Sequence, residues 1–423
     1  MKRNNSLYSP LVVLWLLVAQ RLSGGASLEV AVLELLRGLP ASFWPRPCKR
    51  ILDWRERGKA PSSHTGAYNQ ARQALPLSLV QKSCDHIFQQ LVAQTGHSLS
   101  GNSRAFLLDG STMRMPHTPE LCSAYPPGSN QHGEAHWPLL RVLVAHDLHT
   151  GLAMRPEWGP MHGDQAVSEQ ALLERAIDRL PAGATVIGDA NFGVFSVAYA
   201  AAQAEHPFLL RLTADRARHL AGLAGEALRD GIDRVMLWKP SPADRRSHPD
   251  LPADACVRGR LLVRLVQPDN GGTPFLLAFF TALSSSVEEV FQLYGKRWAI
   301  ETDLRTLKST LCLDQLTCST PDMVAKEIDM GVAAYNLVRA LIAVASEQSG
   351  IAPRGYSFTK VRHIVEAFAP ELARAPNPEA AQRIFDQMMT CILQAKLPHR
   401  KRKRPSYPRA VWARRGDFPK RKK

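Results

Sequence analysis

Residues 287–313 read VEEVFQLYGKRWAIETDLRTLKSTLCL, and this stretch decides the fold. At ~100° per residue, five apolar side chains fall within an arc of roughly 60° and predict a buried helical stripe. They are Leu293, Ile300, Leu304, Leu307 and Leu311. Three serines at 284–286 precede the run and can accept hydrogen bonds from the free N–H groups of a first helical turn. The sequence therefore predicts a long amphipathic helix.

A second arc of about 60° lies directly beside this stripe and carries polar groups. Its members are Tyr294, Arg297, Glu301 and Lys308. A solvated helix face would more often space Glu and Lys as pairs four residues apart. The spacing Tyr-x2-Arg-x3-Glu-x6-Lys favours a surface that holds a phosphate beside a metal, over an ordinary set of surface ion pairs. Asp303 lies ~200° around the helix from Glu301 and is expected to face away, and Trp298 is expected to pack in the core.

Two aspartates upstream each end a short apolar run. Asp109 follows RAFLL in residues 104–108, and Asp189 follows ATVIG in residues 184–188. Both runs predict buried strands. Taken singly, each aspartate also fits an ordinary turn residue, and Glu301 fits a plain surface residue. It is their combination that indicates a site.

The polar spacing resembles the Tyr-Arg-Glu-Lys signature of DDE transposases of the insertion-sequence-four family. The match is dense over residues 287–342 and looser elsewhere. Asp109, in its Asp-Gly-Ser setting, matches the first family aspartate, and Asp189, in its Asp-x-x-Phe setting, matches the second. The resemblance implies that Asp109, Asp189 and Glu301 form a catalytic, metal-binding triad. It also implies that Tyr294, Arg297 and Lys308 hold the DNA end.

Three carboxylates suit phosphodiester cleavage at neutral pH. This chemistry requires an activated water and neutralisation of charge on the leaving oxygen, and two Mg²⁺ ions about 3.5–4 Å apart provide both. Mn²⁺ is expected to be able to substitute. Crowded carboxylates repel one another, and without a cation one of them tends to protonate. Two or three carboxylates suffice because Mg²⁺ keeps several waters.

The predicted element order is strand, hairpin of two strands, helix, strand, helix, strand. This order fits an α/β fold with a ribonuclease H-like mixed sheet, in which the ends of the first and fourth strands meet. The family resemblance implies a β-rich insertion between Asp189 and the main helix. The predicted domains are a helical N-terminal domain (1–98) with possible DNA-end recognition, the catalytic core (99–345) with its insertion at about 213–286, a helical C-terminal region (346–398) and a basic tail (399–423).

Charge is distributed unevenly along the 423 residues. The net charge is +15, of which about +11 lies in residues 399–423. Such a tail binds DNA phosphates without sequence preference, or it simply keeps the chain soluble. The seven cysteines are scattered without a CxxC pair, which favours a reducing cytosol. The apolar run at residues 11–19 imitates a secretory signal but continues into helical periodicity, so an N-terminal pair of helices is predicted and no membrane span.

Five histidines between residues 132 and 162 form a sequence cluster. They are His132, His136, His146, His149 and His162. A zinc site needs four ligands in a tetrahedral array, and no cysteine pair supports one. These histidines are therefore expected to be solvated loop residues.

The resulting prediction is a DNA transposase of the bacterial cytoplasm, associated with the nucleoid. The resemblance implies a cut-and-paste route, through a hairpin at the element end or by another cleavage route, and a homodimer that pairs two inverted-repeat ends before joining them to target DNA. Three alternatives stay open. One is a ribonuclease H-like nuclease that cuts without joining, another is an inactive, DNA-binding descendant of a transposase, and the third is a secreted basic protein that uses the N-terminal apolar run.

Overall fold

The computed structural model describes residues 6–39, 43, 48–59, 61–95, 104–131, 133–223, 226–268 and 272–398. Within these ranges an eight-stranded mixed sheet carries a hydrophobic layer on each face. The strands are β1 Ala105–Arg114, β2 Ser129–Asn130, β3 Gly133–Glu134, β4 Leu139–Asp147, β5 Glu157–Pro160, β6 Thr185–Gly188, β7 Phe208–Leu212, β8 Ile232–Trp238, β9 Val257–Val266 and β10 Phe275–Thr281. The predicted tail at 399–423 and His132 lie outside the described residues.

Helices surround this sheet along the whole described chain. They are α1 Pro10–Leu22, α2 Leu28–Arg37, α3 Lys49–Arg57, α4 Gly66–Ala74, α5 Leu77–Gln94, α6 Pro119–Ala124, α7 Glu169–Ala176, α8 Phe195–Gln203, α9 Ala214–Ala221, α10 Pro242–Ser247, α11 Val287–Gly295, α12 Ala299–Arg305, α13 Pro321–Ser349, α14 Phe358–Ala373 and α15 Pro378–Leu393.

The strand order of the main sheet is β5-β4-β1-β6-β7-β10-β9-β8. Strand β4 pairs antiparallel with both β1 and β5, whereas β6 pairs parallel with both β1 and β7. Helix α7 connects β5 to β6, and α8 connects β6 to β7. This is the order of a ribonuclease H-like sheet, so the predicted fold class is confirmed.

Residues 213–286 extend the same sheet. Strands β10, β9 and β8 add to β7 in antiparallel pairs. The sequence did not predict β8, because this strand lies at the edge of the sheet and many of its side chains are exposed. Its Val235 and Leu237 are 63% and 55% exposed, so its sequence mixes charged and apolar residues without a buried run. Residues 117–138 contain α6, capped by Thr118, and the small hairpin β2–β3.

Helix α13 is the centre of the helical layer. It is long and apolar enough to cross a membrane by length and composition, but 78% of its apolar window is buried inside the protein. Helices α1 and α5 pack against it. The apolar N-terminal run forms α1, whose Val12 and Leu16 are fully buried. Arg21 of α1 forms a buried ion pair with Glu327 of α13.

The stretch at 287–313 is helical with two local changes of pitch. A 3-10 turn at Lys296–Trp298 joins α11 to α12, and a π-helical turn follows at Thr306–Thr310. Ser286 caps α11 through a capping box with Glu289. The predicted apolar stripe is confirmed, because all five of its members are buried.

Trp298 was expected in the core, and this prediction was wrong. Its side chain is 60% exposed. It precedes the fully buried Ile300 by two residues, which places it ~200° around the helix and therefore on the opposite side from the stripe.

Candidate active site

The two aspartates lie where the parallel strands β1 and β6 separate. The last paired residues are Leu107 and Ile187, and Asp109 and Asp189 each follow that pair by two positions. Side chains alternate along a strand, so Asp109 points to the same face as Leu107. Leu107 and Ile187 belong to the core layer that contains Leu304 of α12. The register therefore brings both aspartates to one crevice on the side of the helical stretch.

Strand β1 is longer than the apolar run predicted. It continues through Asp109 to Arg114, paired only with β4 beyond Leu107. Asp109 thus lies in the middle of a strand that has lost one neighbour. Crevices at the carboxyl ends of parallel strands are the usual binding places in open α/β sheets.

The electrostatics of Asp109 show that the two acids interact. Its pKa is raised to about 6, mainly by burial, then by the charge of Asp189 and to a smaller extent by that of Glu169. The N–H of Gly110, 2.9 Å from the Asp109 carboxylate, and the Arg297 guanidinium lower it. Asp109 therefore holds its negative charge less readily than an ordinary aspartate, as expected for two carboxylates that share a crevice.

Glu301 is half-buried on α12, which packs against β1. Residues that precede and follow Glu301 in the helical stretch interact with side chains of β1. Arg297 acts on Asp109, and the Lys308 ammonium donates a hydrogen bond to the Ser111 hydroxyl at 3.1 Å. Within the described ranges, however, no three His, Cys, Asp or Glu side chains lie close enough together to hold one ion. The structure therefore brings Asp109 and Asp189 together. Glu301 lies on the adjoining helix, too far from the two aspartates for all three to bind the same ion.

Tyr294 lies beside the same crevice. Its ring centroid is 4.5 Å from that of Phe279, and the Arg297 guanidinium lies 5.8 Å from its centre. Burial raises the pKa of Tyr294, the charges of Arg297 and Arg211 lower it, and Asp189 raises it. The phenol, two arginines and an aspartate thus share one neighbourhood.

Asp303 faces away from the crevice, as predicted. It is fully buried, and its carboxylate contacts Arg339 at 2.5 Å and Arg354 at 2.9 Å. His146 lies 4.0 Å from the same carboxylate.

The prediction of solvated loop histidines was wrong for His146. This residue belongs to β4 and is fully buried, and burial lowers its pKa to about 4. The sequence signal was present in the apolar run 139–145, which continues through His146. Of the others that the structure describes, His136 is exposed, and His149 and His162 are partly exposed.

Sequence reasoning missed several polar residues at the crevice. Arg211 on β7 was one, although it is the only charged residue in the otherwise apolar strand FLLRL. Ser111 was another, and its contact with Lys308 joins positions 197 residues apart in the chain. Glu169 at the start of α7 was a third, and no local pattern distinguishes it from an ordinary acidic residue in a first helical turn.

The aspartate pair fits a divalent cation. Asp109 is partly desolvated and repelled by its neighbour, and neither aspartate forms an ion pair with a lysine or arginine that the structure describes. Mg²⁺ prefers oxygen ligands and is commonly held by one or two carboxylates together with waters and substrate phosphates. A cation bound by these two side chains would neutralise the repulsion between them.

Comparison with known proteins identifies the family of the chain. Residues 100–337, more than half of the chain, match the family model described as the transposase DDE domain, so the chain belongs to the DDE transposase family. The chain is therefore a DNA transposase. It is 25% identical over 369 residues to the transposase InsG for insertion sequence element IS4 of Escherichia coli (strain K12), covering 86% of this chain and 79% of that protein.

Among solved structures, the piggyBac transposase synaptic complex with hairpin DNA aligns with a TM-score of 0.40 at 9% identity. The alignment covers 93% of this chain and 87% of that chain. Membership of the DDE transposase family implies use of a divalent metal and binding to DNA.

Proposed function

We propose that this transposase cuts the ends of its own element and joins them to target DNA, with Asp109, Asp189 and Glu301 as its catalytic and metal-binding residues. The observation that carries the proposal is the register of β1 and β6, which sets both aspartates side by side where the strands separate. The raised pKa of Asp109 supports it, since burial and the charge of Asp189 outweigh the opposing effect of Arg297. Mg²⁺ is the proposed cation, with Mn²⁺ able to replace it.

When bound, the divalent cations activate the nucleophile and neutralise charge on the leaving oxygen. Two bond exchanges follow in order. In cleavage, a water oxygen bonds to phosphorus at the element end and the bond to the 3′ oxygen breaks, which leaves a 3′-OH and a 5′-phosphate. In strand transfer, that 3′-OH attacks a target phosphodiester and displaces the target's own 3′ oxygen. Asp109 and Asp189 would hold the cations beside the reacting phosphate, and Glu301 would be the further carboxylate from α12.

Tyr294, Arg297 and Lys308 are the proposed contacts to the DNA end. Arg297 lies close enough to Asp109 to affect its pKa, so a phosphate bound by its guanidinium would also lie beside the aspartates. Lys308 is held next to β1 by Ser111. Phosphate contacts of this kind fix the position of the DNA and carry no base preference. Recognition of the terminal repeat is therefore proposed to come from other surfaces, including residues 1–98.

The proposal also includes a homodimer that pairs two ends, and action on the nucleoid in the bacterial cytoplasm. The basic tail at 399–423 would add affinity for DNA of any sequence, and this contribution should fall steeply with salt.

The test uses linear DNA that carries the terminal repeats, a target plasmid and Mg²⁺. Wild type is expected to release the element and to insert it, whereas Glu301→Gln should do neither. Glu288→Gln is the matched control, since Glu288 lies on α11 with a side chain that is 70% exposed. Cleavage without insertion by the wild type would identify a nuclease. Binding of the DNA without cleavage, in Mg²⁺ and also in Mn²⁺, would identify an inactive descendant of a transposase.

A further inference from the structure

A fourth carboxylate approaches the aspartate pair from the other face of the sheet. Gly110 follows Asp109 in β1, so a side chain at this position would point to the opposite face. An added Cβ on Gly110 would lie 2.0 Å from the Cδ and Oε1 atoms of Glu169. The Glu169 carboxyl group thus occupies the space that a side chain at position 110 would need.

Helix α7 fixes Glu169 in this place. Ser168 caps the helix by accepting from the N–H of Ala171 at 3.1 Å, and Glu169 is the first helical residue. Leu172 and Leu173 in the next turn are fully buried against the sheet. The carboxylate therefore projects from an anchored helix end rather than from a loop.

Asn191 connects this carboxylate to the catalytic pair. Its side-chain amide donates to Glu169 at 2.5 Å, and its backbone N–H donates to the Asp189 carboxylate at 2.9 Å. Gln170 donates in turn to the Asn191 backbone carbonyl at 2.6 Å and to its side-chain oxygen at 2.9 Å. Glu169 and Gln170 thus hold the residue that orients Asp189.

The charge of Glu169 is not cancelled nearby. Among the described residues, no lysine or arginine forms an ion pair with it. Its charge raises the pKa of Asp109, as the charge of Asp189 also does. Its negative charge therefore adds to theirs.

We propose that Glu169 is a positioning residue that strengthens divalent-cation binding by the Asp109–Asp189 pair, through its charge beside Asp109 and its hold on Asn191. It acts from the back of the sheet and does not itself bind the cation. Gly110 is required because only a residue without a Cβ leaves room for the carboxylate. This inference rests on the proposed function, since it presumes that Asp109 and Asp189 bind the cation.

The test measures Mn²⁺ binding to the full chain without DNA, by isothermal titration calorimetry. Glu169→Gln keeps the shape and can still accept from Asn191, so it removes only the charge. It should weaken binding about 10-fold, as changes just outside a metal's ligands commonly do. Gly110→Ala should weaken binding similarly by displacing the carboxylate. Glu169→Asp keeps the charge with a shorter reach and should fall between wild type and Glu169→Gln.

Glu174→Gln is the matched control. Glu174 lies on the same helix but contacts His248 at 3.3 Å, away from the crevice, so its replacement should leave Mn²⁺ affinity unchanged. Glu169→Gln with wild-type affinity, while Asp109→Asn abolishes binding, would overturn this inference alone. Equal binding by wild type and Asp109→Asn would overturn the proposed function and this inference with it.

Discussion

Glu301 and Asp303 are two residues apart on α12 but lie on different sides of the helix. The acidic side chains found on these two sides differ in whether they have basic partners. On the buried side, Asp303 is neutralised by Arg339 and Arg354 and accepts a hydrogen bond from the Tyr335 hydroxyl at 3.2 Å. On the crevice side, Asp109 and Asp189 are crowded together and form no ion pair with any residue that the structure describes.

The difference separates structural acids from functional ones. A carboxylate whose counter-charge is built into the chain fixes elements relative to one another, and breaking such a pair is costly. A carboxylate that the chain leaves uncompensated requires a cation from outside, or it protonates. The predictions below test this distinction, from the largest effect to the smallest.

Asp109→Asn should lower DNA cleavage by roughly 1,000-fold or more, because a cation at such a site contributes several kcal/mol to the barrier. The same change should leave the free energy of unfolding in EDTA unchanged or higher, since it relieves repulsion from Asp189. Cleavage assays and urea denaturation measure the two effects. A clear loss of stability in EDTA would mean that Asp109 is structural, and the contrast with Asp303 would fail.

Asp303→Asn should show the reverse pattern, with the main loss in folding. Removing its charge leaves the buried Arg339 and the partly buried Arg354 without a counter-charge, which should lower the free energy of unfolding by about 3 kcal/mol. Urea denaturation measures this. Asp314→Asn is the control, because Asp314 faces Arg114 at 3.8 Å in an exposed pair worth less than about 1 kcal/mol. Equal stability of the two variants would contradict the expectation.

Asp329 is a third kind of acid, buried with no hydrogen-bond partner for either oxygen among the described residues. Burial raises its pKa to about 8, although the charges of Arg155 and Arg179 lower it. The folded state therefore keeps a proton that the unfolded chain releases near pH 4, so stability should fall as pH rises towards 8.

Asp329→Asn should remove much of that pH dependence. At pH 8.5 the variant should be more stable than wild type by on the order of 2 kcal/mol, and at pH 5 the difference should be small. Urea denaturation at the two pH values measures it. A variant that loses stability most at high pH would show that the ionised Asp329 is paired, as Asp303 is.

Ser111→Ala should have the smallest effect. It removes the hydroxyl that accepts from Lys308 and leaves the aspartates untouched. Affinity for the DNA end should change only about 2- to 5-fold, which corresponds to a loss of about 0.5–1 kcal/mol from one hydrogen bond that positions Lys308. Fluorescence anisotropy measures this change. Mn²⁺ affinity should stay at the wild-type value, and a loss there would show that Ser111 supports the aspartates instead.

Much of the fold could be predicted because its signals are local. The helical periodicity of the apolar residues in 287–313 predicts the buried stripe. The short apolar runs before Asp109 and Asp189 predict the two strands. Strand order then follows from the order of elements. The orientation of Asp303 was also predictable, since a two-residue offset on a helix is a fixed rotation.

The remainder depends on contacts that no local period reports. Glu169 at the end of a helix lies against Gly110 on the opposite face of β1 from Asp109. Nothing in the sequence indicates that this glutamate and this glycine are in contact. The charged groups that act on the buried His146 belong to Asp303, Arg339 and Arg354, about 150 to 210 residues away in the chain. Strand β8 has weak apolar character because one of its edges has no neighbour.

The ion pair between Arg21 and Glu327 limits how this polypeptide can be divided. Helices α1 and α5 cover one side of α13, and the Lys326 ammonium donates to the backbone carbonyls of Arg72 and Gln73 at 3.2 and 3.0 Å. A fragment beginning after α5 would expose that side of α13 and leave Glu327 without its arginine. Exchange of the N-terminal segment between related enzymes should therefore succeed only when the matching surface of α13 is transplanted with it.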